Sequence, residues 1–174
     1  MGEFENSATL PDIWYRKVGR FTDERGFFQE ITRISDLPVN SVDFIQDSVS
    51  FSKRNILRGM HFQDNQWQLV TLLKGYVQDV ILCVDRNSSN FQSFIELEMK
   101  EDGVNQILLP PGYAHGFANI GEEAIMHYKS NIYYGSTPQH GIHWQSKVII
   151  DVWIKKKWIM SSRDLNFSKL ENYE

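Results

Sequence analysis

The residues of this sequence best suited to chemistry are two histidines that stand beside glycines. One is His61, which follows Arg58-Gly59-Met60, and the other is His115, which precedes Gly116. A glycine lets the backbone turn sharply or approach closely, so Arg58 and His61 can present a cation and a titratable imidazole from one edge. Taken alone, the simpler interpretation of His61 is a buried histidine with a backbone partner.

The second histidine lies in a pattern that indicates a small β-barrel. Pro110-x-Gly-x-x-His115-x-x-x-Asn119 matches the second half of the cupin signature. A metal-binding cupin also needs a His-x-His pair and a later glutamate, because a divalent ion takes three or four ligands at about 2.0–2.2 Å. The nearest segment, Met60 to Gln63, holds one histidine. We therefore expect no metal site, although His61 and His115 could meet across the barrel.

The sequence lacks the residues needed for an intrachain disulfide, a thiolate zinc site, a serine nucleophile motif or a phosphate-binding loop. Cys83 is the sole cysteine, so an intrachain disulfide and a thiolate zinc site are excluded. It stands in an apolar stretch, where a thiol is usually inert. The sequence contains neither a Gly-x-Ser-x-Gly motif nor a glycine-rich phosphate loop.

Length and charge narrow the class of protein. The 174 residues include 18 Lys and Arg against 22 Asp and Glu, a formal net charge of −4. This predicts a single domain, residues 1–174, with no clustered positive face for nucleic acid. No apolar run approaches the roughly 20 residues that cross a bilayer, and the first residues do not look like a secretion signal. We expect a cytoplasmic protein with no membrane partner.

Short apolar stretches that alternate with turn residues predict strands. In Phe94 to Lys100, apolar and charged residues alternate with period two, which indicates a half-buried antiparallel strand. Residues 69–73 and 76–84, joined by Lys74-Gly75, look like a hairpin with a largely buried second strand. Further strands are expected at 106–109 and 124–134. The pattern predicts an all-β sandwich or barrel with short peripheral helices near residues 35–37 and 164–172.

A series of motifs in order makes the sequence resemble one family of enzymes. The matches are Arg25-Gly-x-Phe-x-Glu30, Gln46-Asp-Ser, Leu57-Arg-Gly-Met-His-Phe-Gln63, Leu69-Val, Gly75-x-Val-x-Asp-Val80, Val84-Asp-Arg86, Pro110-x-Gly-x-Ala-His-Gly-Phe117, Tyr128-Lys, Tyr133-Tyr134, Gly141-Ile-x-Trp144 and Ser162-Arg-Asp164. Over roughly residues 15 to 165, the sequence resembles the dTDP-4-dehydrorhamnose 3,5-epimerase family. Many matches in one order are far more specific than any single motif.

The resemblance implies a fold and an activity. Members are cupin-like jelly rolls without metal or other cofactor that form homodimers by exchanging N-terminal strands. They invert carbons next to the 4-keto group of a nucleotide-linked 6-deoxysugar such as dTDP-4-keto-6-deoxyglucose. By the family pattern His61 is the base, Asp164 is the carboxylate that pairs with it, and Tyr128 is the proton donor on the other face of the sugar.

The resemblance also implies a set of residues that bind the substrate. Tyr134 matches the tyrosine that stacks on the nucleotide base, and Arg25 and Glu30 would reach the site of the partner subunit. The full set of substrate-binding candidates is Arg25, Glu30, Gln46, Ser48, Arg58, Gln68, His115 and Tyr134.

Two departures from the family pattern leave alternatives open. The family usually has a lysine before Leu69-Val70, where this sequence has Gln68, and an acidic residue often stands at the position of Gln139. Because a neutral amide donates a weaker hydrogen bond than an ammonium, the enolate could be less stabilised. A 3- or 5-monoepimerase, a ketoisomerase or a noncatalytic sugar-nucleotide-binding cupin therefore remains possible, and a metal-dependent cupin comes last.

Overall fold

The computed structural model describes residues 2–39, 42–154 and 156–173 of the chain. Its thirteen strands are β1 (Glu5–Asn6), β2 (Trp14–Arg16), β3 (Phe21–Asp23), β4 (Gly26–Phe28), β5 (Gln46–Lys53), β6 (Leu57–Gln63), β7 (Gln68–Lys74), β8 (Tyr76–Cys83), β9 (Phe94–Lys100), β10 (Gln106–Leu109), β11 (Tyr113–Asn119), β12 (Glu123–Ser130) and β13 (Gln139–Gly141). Within these ranges, helix is limited to α1 (Ser162–Leu165) and the 3-10 turns Ile34–Asp36 and Leu170–Asn172. The all-β prediction is confirmed.

Two antiparallel sheets face each other as a cupin-like jelly roll. One has the strand order β1-β2-β10-β7-β12-β5, the other has the order β13-β6-β11-β8-β9, and β3 and β4 form a separate hairpin. Side chains from both sheets interdigitate between them, including Val70, Leu72, Ile81 and Met126. Burial of this apolar surface holds the two sheets together.

The expected hairpin of residues 69–84 is wrong in its pairing. β7 pairs with β10 and β12 in the first sheet, whereas β8 pairs with β9 and β11 in the second. Gly75 alone separates the two strands, and a tight hairpin needs a two-residue turn. Its φ of 105° instead directs the chain across to the opposite sheet. The expected burial of β8 is confirmed.

The single helix expected over 164–172 is also wrong, because two short pieces stand there. Between α1 and the final 3-10 turn, backbone groups bond to the preceding loop instead of continuing a helix. His143 N–H donates to the Ser168 carbonyl at 2.9 Å, and Leu170 N–H donates to Ser146 Oγ at 2.9 Å. Leu170 is buried against the outer face of the five-stranded sheet with Ile149 and Trp153. The C-terminal segment therefore packs on the barrel wall next to β6.

The outer face of the six-stranded sheet is covered by the N-terminal segment over part of its area. Leu37 and Phe4 pack there on Leu69 and Leu108. Toward the edge strand β5, Val49 and Phe51 stay at least half exposed. Among the described residues, no helix is long and apolar enough to cross a membrane.

Candidate active site

A cavity of about 230 Å³ opens between the two sheets. Most of its wall comes from inward-facing positions of β5, β6, β7, β11 and β12, because alternate residues of a strand face the same side. The residues that line it are Gln46, Ser48, Arg58, His61, Gln63, Gln66, Gln68, His115, Gly116, Phe117, Tyr128, Ser130, Tyr134 and Gln139. Seven of the predicted site residues therefore share one cavity with Tyr128: Gln46, Ser48, Arg58, His61, Gln68, His115 and Tyr134.

His61 pairs with Asp164 at the edge of this cavity. Its Nε2 lies 2.8 Å from Asp164 Oδ1, so Nδ1 is the nitrogen left to accept a proton. Asp164 is on α1, where the Ser161 hydroxyl accepts a hydrogen bond from the Asp164 N–H at 3.1 Å and caps the helix. The predicted association of these two residues, 103 positions apart, is present in the structure.

Hydrogen bonds keep the Asp164 carboxylate charged although its side chain is 4 % exposed. Burial raises its pKa, but the hydrogen bond and charge of His61 and the N–H of Gly59, which donates to Oδ2 at 3.3 Å, lower the pKa overall. Gly59 has a φ of 120°, and a Cβ there would lie 2.5 Å from Gly116 Cα. Only glycine therefore fits this crossing of β6 and β11.

A second histidine–carboxylate pair lies beside the first. His115 and His61 are directly paired on β11 and β6, and His115 Nε2 is 2.6 Å from Asp79 Oδ2. Asp79 is completely buried, and its Oδ1 has no hydrogen-bond partner among the described residues. Burial raises the pKa of Asp79, with the nearby His115 acting in the opposite direction. Sequence analysis gave Asp79 no role, although it stands in the match Gly75-x-Val-x-Asp-Val80 and is the one charged residue of β8.

Tyr128 and Arg58 face the cavity from the two sheets. The Tyr128 hydroxyl is 3.0 Å from Ser50 Oγ, and burial raises the tyrosine pKa to about 12. Arg58 donates from Nε to Ser52 Oγ and from Nη2 to the Phe51 carbonyl, each at 2.9 Å. It is the one arginine or lysine among the described residues of the cavity wall.

Tyr134 stands at the cavity mouth, but not on the strand that we expected. β12 ends at Ser130, and a turn carries Tyr134 to the rim, where it is 69 % exposed. After the strand, the Ser130 hydroxyl donates to the Ile132 carbonyl and accepts from the Ile132 N–H, so local hydrogen bonds replace the strand pairing. Gln46 holds the turn, since its Oε1 accepts from the Tyr134 N–H at 2.7 Å.

Two predicted residues lie outside this chain's own cavity. Arg25 sits in the β3–β4 turn with its side chain 84 % exposed and pairs with Asp23. Glu30 pairs with Arg33. Neither lines the cavity wall.

Sequence analysis gave no role to several further residues of the site, although Gln63 and Arg163 stand within matched motifs. Gln63, Gln66 and Ser130 line the cavity. Arg163 contacts His61 Nε2 through Nη2 at 3.3 Å and donates from Nη1 to Gln139 Oε1 at 2.5 Å. Within the described ranges, no group of three or more His, Cys, Asp or Glu side chains is arranged to hold a metal ion.

The chain is similar in sequence to known nucleotide-sugar enzymes. Residues 7–172 match the family model described as dTDP-4-dehydrorhamnose 3,5-epimerase. The Shigella flexneri enzyme of that name is 32 % identical over 166 residues, which is 92 % of each chain. The Salmonella typhimurium enzyme is 34 % identical over 84 % of this chain and 83 % of its own.

A solved structure shares the whole fold. The dTDP-6-deoxy-D-glucose-3,5-epimerase of Legionella pneumophila, in complex with dTDP-4-keto-L-rhamnose, superposes with a TM-score of 0.91 at 26 % identity. The match covers 100 % of this chain and 95 % of that one.

Proposed function

Because the chain belongs to the dTDP-4-dehydrorhamnose 3,5-epimerase family, we propose that it acts as a homodimer on a nucleotide-linked 4-keto-6-deoxysugar such as dTDP-4-keto-6-deoxyglucose. It inverts C3, C5 or both, with residues 1–174 forming a single epimerase domain that needs no cofactor. The observation that carries the proposal is the His61–Asp164 pair in a cavity whose opposite sheet supplies Tyr128.

Proton removal falls to His61. A hydrogen on carbon next to a ketone is removable because the charge left behind spreads onto the carbonyl oxygen as an enolate. With Nε2 bonded to Asp164, the Nδ1 of His61 takes that proton and the carboxylate stabilises the imidazolium that forms. The lowered pKa of Asp164 supports this role, since the carboxylate stays charged while His61 gains and loses its proton.

Proton return falls to Tyr128. Epimerisation requires the proton to arrive on the face opposite to the one it left. His61 is on β6 of the five-stranded sheet and Tyr128 on β12 of the six-stranded sheet, so the two groups approach the cavity from different walls. A pKa of about 12 keeps the phenol protonated at neutral pH and ready to donate.

The remaining cavity residues bind the nucleotide sugar. The exposed ring of Tyr134 at the mouth suits stacking on the base. Arg58 and His115 supply donors for phosphate or carbonyl oxygen, and Gln46, Ser48 and Gln68 supply hydrogen bonds.

The partner subunit completes the site with Arg25 and Glu30. β1 and β2 pair within their own sheet, so the exchanged N-terminal element is the β3–β4 hairpin. Phe21, Phe27 and Phe28 on this hairpin are each more than half exposed, which is typical of a surface that a partner covers. With Arg58 as its cationic wall residue, the cavity also needs further positive charge to bind a diphosphate.

Mixed dimers test the shared site. Arg25→Ala and His61→Ala each disable both sites of their own homodimer. When the two variants are exchanged into hybrids, one site regains both residues, so activity should return to about a quarter of wild type for random pairing. No recovery after verified subunit exchange would contradict the placement of Arg25 in the partner's site.

Deuterium incorporation tests the reaction. The protein is incubated with dTDP-4-keto-6-deoxyglucose in heavy water, and mass and proton NMR count the labelled carbons. Label at both C3 and C5 with inverted product supports the 3,5-epimerase, whereas label at one carbon supports a monoepimerase. Movement of the keto group indicates a ketoisomerase. Binding without label indicates a noncatalytic protein.

A further inference from the structure

A chain of three glutamine side chains runs along one wall of the cavity. Gln68 Nε2 donates to Gln66 Oε1 at 2.5 Å, and Gln66 Nε2 donates to Gln63 Oε1 at 3.0 Å. Gln63 Nε2 ends the chain by donating to the Thr137 carbonyl at 3.1 Å. Three cavity amides are therefore linked head to tail.

The direction of this chain is fixed at two points. A backbone carbonyl can only accept, so Gln63 must turn its NH₂ group toward Thr137 and its oxygen toward Gln66. Ser130 fixes Gln66 independently. The Ser130 hydroxyl donates its one hydrogen to the Ile132 carbonyl. Toward Gln66, the Ser130 oxygen can therefore act only as an acceptor, and it accepts from Gln66 Nε2 at 3.1 Å.

Gln68 inherits its orientation from Gln66. If the Gln68 amide rotated by half a turn, its oxygen would face the oxygen of Gln66 without a proton between them. The two oxygens would repel each other, and the hydrogen bond between these amides would be lost. This hydrogen bond therefore orients the Gln68 amide with its nitrogen toward Gln66 and its oxygen away from Gln66.

The oxygen of Gln68 is distinguished among the cavity amides. Of the five glutamines in the wall, four have oxygens that accept hydrogen bonds: Gln46 from Tyr134, Gln63 from Gln66, Gln66 from Gln68, and Gln139 from Arg163. Gln68 Oε1 accepts none from the described residues. It is an oriented acceptor without a donor.

We propose that Gln68 Oε1 accepts a hydrogen bond from a hydroxyl group of the sugar ring, and that Gln66 and Gln63 are positioning residues that hold it in that orientation. This assignment rests on the proposed function. It makes Gln68 a specificity residue for sugars that carry a hydroxyl donor next to the reacting carbons, not a donor to the enolate oxygen. A site that accepts from a hydroxyl discriminates against analogues that lack it.

Substitution of Gln68 separates an acceptor from a donor. Gln68→Met keeps the length of the side chain and removes the acceptor, and Gln68→Lys replaces it with a charged donor. With dTDP-4-keto-6-deoxyglucose, KM should rise about tenfold in both variants, as for the loss of one hydrogen bond. The maximal rate of deuterium incorporation should stay within about threefold of wild type. The affinity for dTDP, which lacks the sugar, should be unchanged and shows that the variants fold.

Gln66→Met tests the positioning role. It should raise KM by a few-fold in the wild-type background and by nothing further when Gln68→Met is already present, because Gln66 acts through Gln68. Additive effects in the double variant would overturn the positioning role.

These experiments distinguish failure of the Gln68 assignment from failure of the proposed epimerase function. An unchanged KM in Gln68→Met, or a faster maximal rate at unchanged KM in Gln68→Lys, overturns the acceptor assignment and leaves the epimerase intact. Absence of deuterium incorporation in the wild-type protein overturns the proposed function itself.

Discussion

Two histidine–carboxylate pairs lie side by side in this cavity, and their carboxylates have opposite environments. Asp164 comes from α1 outside the barrel and receives an N–H from Gly59 in addition to His61, which keeps its pKa low. Asp79 lies wholly inside β8, bonds to His115 alone among the described residues, and has its pKa raised by burial. A similar distance between ring and carboxylate therefore does not imply a similar role.

The difference assigns the two histidines different tasks. The base must become positively charged during the reaction, so it needs a carboxylate that remains negative. Asp164 meets that requirement with two donors, and His61 is also the more exposed ring, at 22 % against 8 % for His115. His115 and Asp79 suit substrate binding from a fixed position.

The largest difference in activity should be between the variants His61→Ala and His115→Ala. His61→Ala should abolish deuterium entry at every carbon, a loss at or beyond the upper end of the roughly 10²–10⁴-fold that a general base contributes. His115→Ala should instead raise KM, by about tenfold for a lost contact, with label still entering. Heavy-water NMR over a range of substrate concentrations measures both the rate of label entry and KM. Full turnover without His61 would break the comparison.

Tyr128→Phe separates proton removal from proton return, because it removes the proton donor and leaves both histidine–carboxylate pairs in place. Deuterium should still enter through His61, while formation of the inverted product should fall by about 10²–10⁴-fold. Chiral analysis of the recovered sugar separates wash-in from inversion. Equal loss of both rates would show that Tyr128 is needed for proton removal as well.

The carboxylates should differ in their effect on the rate. Asp164→Asn should lower kcat by about 10²–10⁴-fold, since it leaves the imidazolium without its counter-charge. Asp79→Asn should lower kcat by no more than about tenfold, with most of its effect on KM. Steady-state kinetics of the Asp164→Asn and Asp79→Asn variants measures this difference. Asp102→Asn is the control, because Asp102 is exposed and belongs to neither histidine–carboxylate pair. A larger loss of kcat at Asp79 would reverse the assignment.

The smallest effect concerns stability in acid, where the two aspartates should act with opposite sign. The lowered pKa of Asp164 gives stability that is present above about pH 4 and lost as the pH falls through its folded-state pKa. The raised pKa of Asp79 means that stability falls as the pH rises above about 4.

Urea unfolding between about pH 2 and 6 measures this contrast. The wild-type free energy of unfolding, minus that of Asp164→Asn, should increase with pH. The same difference for Asp79→Asn should decrease. Slopes of the same sign would show that the two carboxylates share one environment.

The parts of the fold that depend on local pattern could be predicted from the sequence. Alternation in residues 94–100 predicted β9, and the largely apolar residues 76–84 predicted a buried strand. The sheet to which a strand belongs depends on distant partners, so the pairing of β7 and β8 could not be predicted in this way. Likewise, the turn after Ser130 is set by hydrogen bonds that no periodicity records.

The site divides along the same line. The motifs around His61, Tyr128 and Asp164 indicated residues that the structure brings to one cavity or its edge. Asp79 and Gln63 stood in matched motifs but received no role, because their significance lies in contacts with His115 and Thr137, which are distant in the chain. Gln66 was missed. Residue type alone does not reveal which way an amide is turned.

The most direct test of the central claim is proton NMR of dTDP-4-keto-6-deoxyglucose in heavy water, with wild-type protein and His61→Ala in parallel. We predict that a signal from a hydrogen next to the keto group disappears with the wild-type protein and persists with the variant. The account would be contradicted if the signal disappeared at the same rate in both samples, or if it persisted in both.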